Sequence, residues 1–193
     1  MIKKLVVLGL LLMVVSGCAP EDKEAVEETQ KTQKVQKSES KIEKGKVLEV
    51  KAENGELFHY TLPKRWQKRK DENSDLFVSS SKEGVSLLIE NKADYTDLAS
   101  YQNAIINTYE DLGDQVVEQG NPVEAQGMSG VELVVESDRE GAKIKALIYL
   151  LEAEQNYVQV YASTTQSRFD DNREKLKEAA SLLKMAEKQP EPV

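Results

Sequence analysis

The sequence predicts an α+β domain in which two main helices pack on an antiparallel sheet. Three observations point there. Strand-like runs follow one another with only short turns between them, and neighbouring strands joined by short turns must run antiparallel. Two stretches carry apolar residues at helical spacing, one in the middle of the chain and one near its end. The order of elements, strands, helix, strand meander, helix, does not alternate as a parallel sheet would require.

The first two runs, "VLEVKA" and "ELFHYTL", flank Asn54-Gly55, a dipeptide suited to a tight type I′ turn. Phe58, Tyr60 and Leu62 alternate and so share one face, which turns His59 to the other. Pro63 ends this arm, and "KRWQKRK" is expected to follow as a loop at the sheet rim, because proline cannot donate to a central ladder. "DLFVSSS" and "GVSLLIENK" read as two more strands around Lys82-Glu83-Gly84. Thr96 or Asp97 then caps a helix ending near Leu112, with Gly113 behind it and Leu98, Tyr101, Ile105 and Leu112 as its buried stripe. Four strands follow: "QVVEQGNPVEAQ", "SGVELVVES", "AKIKALIYLLEAE" and "YVQVYAST", with turns at Arg139-Glu140-Gly141 and Gln155-Asn156. Ser167-x-x-Asp170 has the form of a capping box opening a last helix with Phe169, Leu176, Ala180 and Leu183 on one side.

Ahead of this domain the composition differs. Lys3 and Lys4 precede an apolar run, Leu5 to Val15, broken only by Gly9, and Ser16 and Gly17 follow as small residues. The run is shorter than the about 20 apolar residues of a membrane-spanning helix, so residues 1–17 read as a signal peptide. Val15-Ser16-Gly17-Cys18 resembles the lipobox of bacterial lipoproteins. That resemblance implies cleavage between Gly17 and Cys18 and a diacylglyceryl thioether on Cys18, the only cysteine in the chain. Two acyl chains hold a protein stably on a membrane where one does not. The implied location is the extracytoplasmic side of the cell membrane, with the lipid on Cys18 as the membrane contact. From Ala19 to Gly45 there is no aromatic residue, and seven acidic and six basic residues dominate. Residues 18–45 are therefore expected to be the lipidated cysteine and a disordered charged tether. Residues 46–187 should form the single domain, and 188–193 a frayed tail.

"FHYTLPKRWQ", followed by a strand pair, a helix, a meander and a terminal helix, resembles the PsbP/Mog1-like fold. Lipid-anchored bacterial members commonly begin with a strand ending in Pro-x-Gly-Trp. Leu62, Pro63 and Trp66 fit that pattern, while Arg65 stands where glycine is usual, and the resemblance implies that Trp66 tucks against the core edge. The resemblance implies an assembly factor, a binding module or a protein of unknown role, and few such proteins are enzymes; with the lipid anchor, the expectation is a binding or accessory module at the cell envelope.

Little in the chain argues for chemistry. His59 is the only histidine, so no Cys/His pair or zinc set can form around it. No Gly-x-Ser-x-Gly elbow, Walker pattern or EF-hand spacing occurs, and no catalytic residue, metal or cofactor is expected. A small envelope hydrolase and a ligand-capturing lipoprotein for uptake remain as alternatives to a binding module. The net charge is −8, and it becomes −10 once Lys3 and Lys4 leave with residues 1–17. Its sign disfavours nucleic acid. The charges are sorted along the chain. Lys64, Arg65, Lys68, Arg69 and Lys70 surround Trp66 and are candidate contacts for a polyanion, anionic lipid or a wall polymer. Residues 93–138 hold ten acids and no Lys or Arg, and are expected to face outward to an unknown protein partner.

Overall fold

A computed structural model describes residues 42–139 and 141–187; the calls on Gly17 and Cys18, on the signal and tether up to residue 41, and on the tail from 188 lie outside them. Every strand pairing is antiparallel, and the strands divide into two sheets. The smaller is built from β1 (Lys44–Lys51), β2 (Leu57–Pro63) and a late strand, β10 (Leu183–Met185), in the order β1-β2-β10. The larger comprises β3 (Gln67–Arg69), β4 (Leu76–Ser79), β5 (Gly84–Asn91), β6 (Gln115–Ala125), β7 (Met128–Arg139), β8 (Ala142–Glu152) and β9 (Asn156–Thr165). Its order is β3-β4-β5-β9-β8-β7-β6. Helix α1 (Leu98–Asp111) lies between β5 and β6 in the chain, and α2 (Gln166–Ala180) between β9 and β10.

The large sheet is covered on both faces, and its central strands show it. Along β8, Ala146, Ile148 and Leu150 join Tyr101, Ile105 and Tyr109 of α1 in one cluster. Leu147, Tyr149 and Leu151 point the other way, into a second cluster with Phe58, Tyr60, Phe169 and Leu176. Side chains alternate along a strand, so burying both faces makes "ALIYLL" continuously apolar. Helix α1 therefore packs on one face, and α2 with the small sheet on the other.

Local chemistry sets the element ends. Asp97 caps α1: its carboxylate accepts from the Ser100 N–H at 2.7 Å, and the Ser100 hydroxyl accepts from the Asp97 N–H at 3.0 Å. Gly113 follows in the left-handed region at φ 80°. The Arg139 guanidinium donates to the Leu112 carbonyl at 3.0 Å and so finishes the helix with a cation at its negative end.

Four local expectations need correcting. The first hairpin does not close in a type I′ turn. Gly55, at φ 93°, is left-handed but Asn54 is not, and the Gly55 N–H donates to the Ala52 carbonyl at 3.0 Å. The loop is the three-residue kind, a turn followed by one left-handed residue. Tyr109, not Leu112, completes the α1 stripe; Leu112 is the C-cap residue. Ser167 and Asp170 form no capping box, because β9 runs straight into α2 and Thr165 is the N-cap, with no side-chain cap bond. Leu183 is not on that helix: the chain turns at Ser181 and Leu182, and Leu183 pairs with Tyr60 in the small sheet.

Ordered structure also starts ahead of Lys46. Ile42 packs against the core, and its N–H donates to Glu178 of α2 at 2.7 Å.

Candidate functional site

The basic sequence around Trp66 leads into an open cleft of about 640 Å³. Its floor is laid by the end of β2. Pro63 is buried, the Lys64 N–H donates to the Glu43 carbonyl at 2.8 Å, and the Trp66 N–H donates back to Pro63 at 3.2 Å. This turn places Arg65 in the left-handed region at φ 68°. Such a backbone costs a side-chain-bearing residue about 1 kcal/mol or more and glycine almost nothing. Arg65→Gly is therefore expected to raise the stability to urea unfolding by about 0.5–1 kcal/mol. A loss of stability would mean that the Arg65 side chain makes a contact outweighing its backbone cost.

Trp66 is 8% exposed and joins the main core, as expected. The residues after it are not a loop, however. Gln67–Arg69 forms β3, the edge strand of the large sheet, paired with Ser79, Val78 and Phe77 of β4. Strand alternation divides the basic cluster: Gln67 and Arg69 line the cleft, and Lys68 between them does not. Lys70 lies outside it too and pairs with Glu72 at 3.3 Å.

The facing wall is the β4–β5 turn, Ser79 to Glu83, with Lys175 of α2. The Ser80 hydroxyl accepts from the N–H groups of Lys82 and Glu83 at 3.0 and 2.9 Å, and donates to the Glu83 carboxylate at 2.5 Å. Glu83 is almost fully buried and is neutralised by Lys175 at 3.1 Å. Thr164 holds the turn in place by donating to the Lys82 carbonyl at 2.9 Å.

The cleft thus carries five cations, Lys64, Arg65, Arg69, Lys82 and Lys175, against two carboxylates, Glu43 and Glu83. Both carboxylates are already matched, Glu43 with Lys64 at 3.0 Å and Glu83 with Lys175. Among the described residues, Arg65, Arg69 and Lys82 have no carboxylate partner. This arrangement can take an anionic group, with two planar guanidinium forks suited to phosphate or carboxylate oxygens. Lys82 and Lys175 were missed from sequence. Only the β3–β4 pairing and the packing of α2 bring them beside Trp66.

His59 sits half-buried on the small sheet, turned away from Phe58 and Tyr60, across from Glu49 and Lys184. Among the described residues, no group of three His, Cys, Asp or Glu side chains could hold a metal ion, and no helix is long and apolar enough to cross a membrane.

Four of the ten acids in residues 93–138 are drawn into ion pairs, while Asp94, Asp97, Glu110, Asp111, Glu124 and Asp138 stay exposed. Glu118 and Glu132 take both amino groups of Arg173 on α2, at 2.6–2.9 Å. Glu136 pairs with Lys145 at 2.8 Å, and Asp114 with Arg139 at 2.6 Å. Hydrogen bonds from Arg173 hold the Glu118 carboxyl below its ordinary range, and those from Lys145 do the same for Glu136. Burial pushes Asp114 up despite Arg139. The cations are Arg139, Lys145 and Arg173, all of which follow the segment in the chain.

Helices on an antiparallel sheet, in this order, make a PsbP/Mog1-like fold. The cyanobacterial PsbP of Synechocystis sp. PCC 6803 is similar at 12% identity and a TM-score of 0.54, over 72% of this chain and 92% of that one. LpqN of Mycobacterium tuberculosis, a protein involved in cell envelope biogenesis, is similar at 12% identity and a TM-score of 0.53, over 74% of this chain and 91% of that one. The yeast Ran-binding protein Mog1p aligns more loosely, at 11% identity and a TM-score of 0.44 over 71% and 87% of the two chains. No family model matches the chain, and no curated protein matches it in sequence.

Proposed function

We propose that this chain is a lipid-anchored lipoprotein on the extracytoplasmic side of the cell membrane, where its domain acts as a binding or accessory module of the envelope. The observation that carries the reading is the place of the only cysteine. Cys18 closes Val15-Ser16-Gly17-Cys18 directly behind a short apolar run, and a charged segment separates it from the domain. The fold supports an accessory role by analogy, since LpqN, of the same architecture, is involved in cell envelope biogenesis. The cleft beside Trp66 supplies a surface of definite chemistry for such a role.

The test is on the sulfur. Cys18→Ala should remove fatty-acid labelling completely and either shift the protein from the membrane fraction to the soluble one or leave an uncleaved precursor. Metabolic labelling with a radioactive or alkynyl fatty acid, followed by fractionation, measures both. Labelling that persists in Cys18→Ala would end the reading.

A further inference from the structure

The chain enters the domain at the cleft. Ile42 and Glu43 line it, beside Lys64, Arg65 and Arg69. The strand register shows that this is one pole of the molecule. Along the β5–β9 pair, Gly84 meets Ser163 at the cleft end, and Asn91 meets Asn156 at the other. That opposite end gathers acids. Glu56 accepts from the N–H groups of Glu154 and Gln155 at 3.2 and 3.3 Å, Glu152 pairs with Lys92, and Glu90 is bonded by Tyr95. Asp94 and Asp97 lie just beyond Lys92 in the chain, both exposed. Unpaired cations therefore lie where the chain comes in, at the β3 edge of the large sheet, whereas carboxylates cluster at the far end and others, Asp111 and Asp138, lie toward the β6–β7 edge.

We infer that the cleft is a headgroup-contact surface: Arg65, Arg69 and Lys82 take the phosphates of anionic phospholipids in the membrane to which Cys18 ties the chain, and the acidic pole points away from it. The inference rests on the lipid-anchored reading for its geometry. Residues 19–41 span at most about 80 Å even when fully extended, so the bilayer lies within reach of the entry point. The overall charge is negative, and an anionic bilayer repels the carboxylate-rich far end and β6–β7 edge, which leaves the basic corner at the chain entry as the side that can approach. Each basic side chain that reaches the headgroup layer strengthens association by about fivefold. Three such contacts are weak in solution and sufficient on a tethered domain, because the anchor keeps the effective concentration high.

Trp66, the only tryptophan in the chain, reports on this surface from inside the cleft. The experiment titrates the chain of residues 19–193, which lacks the lipidated cysteine, with phosphatidylcholine vesicles carrying a dansyl lipid, with and without phosphatidylglycerol. Energy transfer from Trp66 should require phosphatidylglycerol and fade as salt rises. Arg69→Gln with Lys82→Gln should weaken it about thirtyfold. Lys51→Gln with Lys184→Gln removes the same charge far from the cleft and should leave transfer within about twofold of the wild type. No binding at low salt would overturn the inference, and so would equal weakening by the two double variants. Binding to soluble polyphosphate without binding to the vesicles would reassign the cleft to a free phosphate polymer and overturn the lipid contact. Because the acyl group is absent throughout, these outcomes do not depend on the Cys18→Ala result.

Discussion

Arg173→Met is expected to cost about 2–4 kcal/mol of folding stability. The guanidinium donates to both Glu118 oxygens at 2.8 and 2.6 Å and to Glu132 at 2.9 Å, while its carbon lies 5.8 Å from the centre of the Phe169 ring. Glu132 is 7% exposed, and its remaining cation, Lys177, stands 3.5 Å away. Removing Arg173 leaves that buried carboxylate short of charge and facing Glu118. Breaking a fully buried pair costs about 3–5 kcal/mol, but Arg173 and Glu118 are 27% and 37% exposed, so water offsets part of the loss. Urea unfolding measures it, and Glu132→Gln in the same chain should restore a substantial part. The acid side gives an independent check. The folded-state pKa of Glu118 is depressed by Arg173, so the stability it contributes is complete above the ordinary carboxylate range and disappears as pH falls through the folded value. Arg173→Met should flatten that part of the pH profile. A change within about 0.5 kcal/mol would place these groups with ordinary surface pairs.

The same residues show why the pairing of Glu118 and Glu132 is not legible in the sequence. Residues 93–138 contain no cation, and the partners of Glu118 and Glu132 lie on α2, far along the chain. Nothing local announces such a pairing. What was legible came from local chemistry and periodicity: the Asp97 cap, the helical spacing of Tyr101 and Ile105, and the two-sided burial that makes β8 and β9 read as strands. Strand β3 was not legible, because Gln67, Lys68 and Arg69 are all exposed and carry no alternation of apolar and polar residues. Leu183 lies seven positions after Leu176 and so fits helical spacing, although the helix has ended before it. The division into two sheets depends on β10 returning to β2, a contact between distant parts of the chain. The cleft was legible by half. Lys64, Arg65 and Arg69 stand together in sequence, whereas Lys82 and Lys175 are brought in by tertiary packing.

Gly130→Ala is expected to lower stability by about 3 kcal/mol, at or above the upper end of ordinary overpacking costs. Gly130 lies in β7, paired with Val123 of β6 on one side and Leu151 of β8 on the other. A methyl group there would run into the Leu150 carbonyl oxygen and stand 2.9 Å from its carbon and 3.0 Å from the Leu151 Cα. All three are backbone atoms, so no rotamer change can relieve the contact. The backbone of β8 is itself held by ladders to β7 and β9 and by core side chains on both faces. Interiors packed this closely pass strain on to their neighbours. Gly84→Ala is the matched comparison. Its methyl would meet the edge of the Phe77 ring at 3.1 Å, and that side chain, half-buried near the sheet rim, can swing aside. It should cost about 1 kcal/mol or less. Thermal unfolding of the two variants side by side decides the matter. Equal losses would mean that β7 and β8 can part at Gly130 as easily as one ring can turn. A much larger loss for Gly130→Ala would show that the β7 and β8 backbones, held by ladders and by core side chains on both faces, cannot part there.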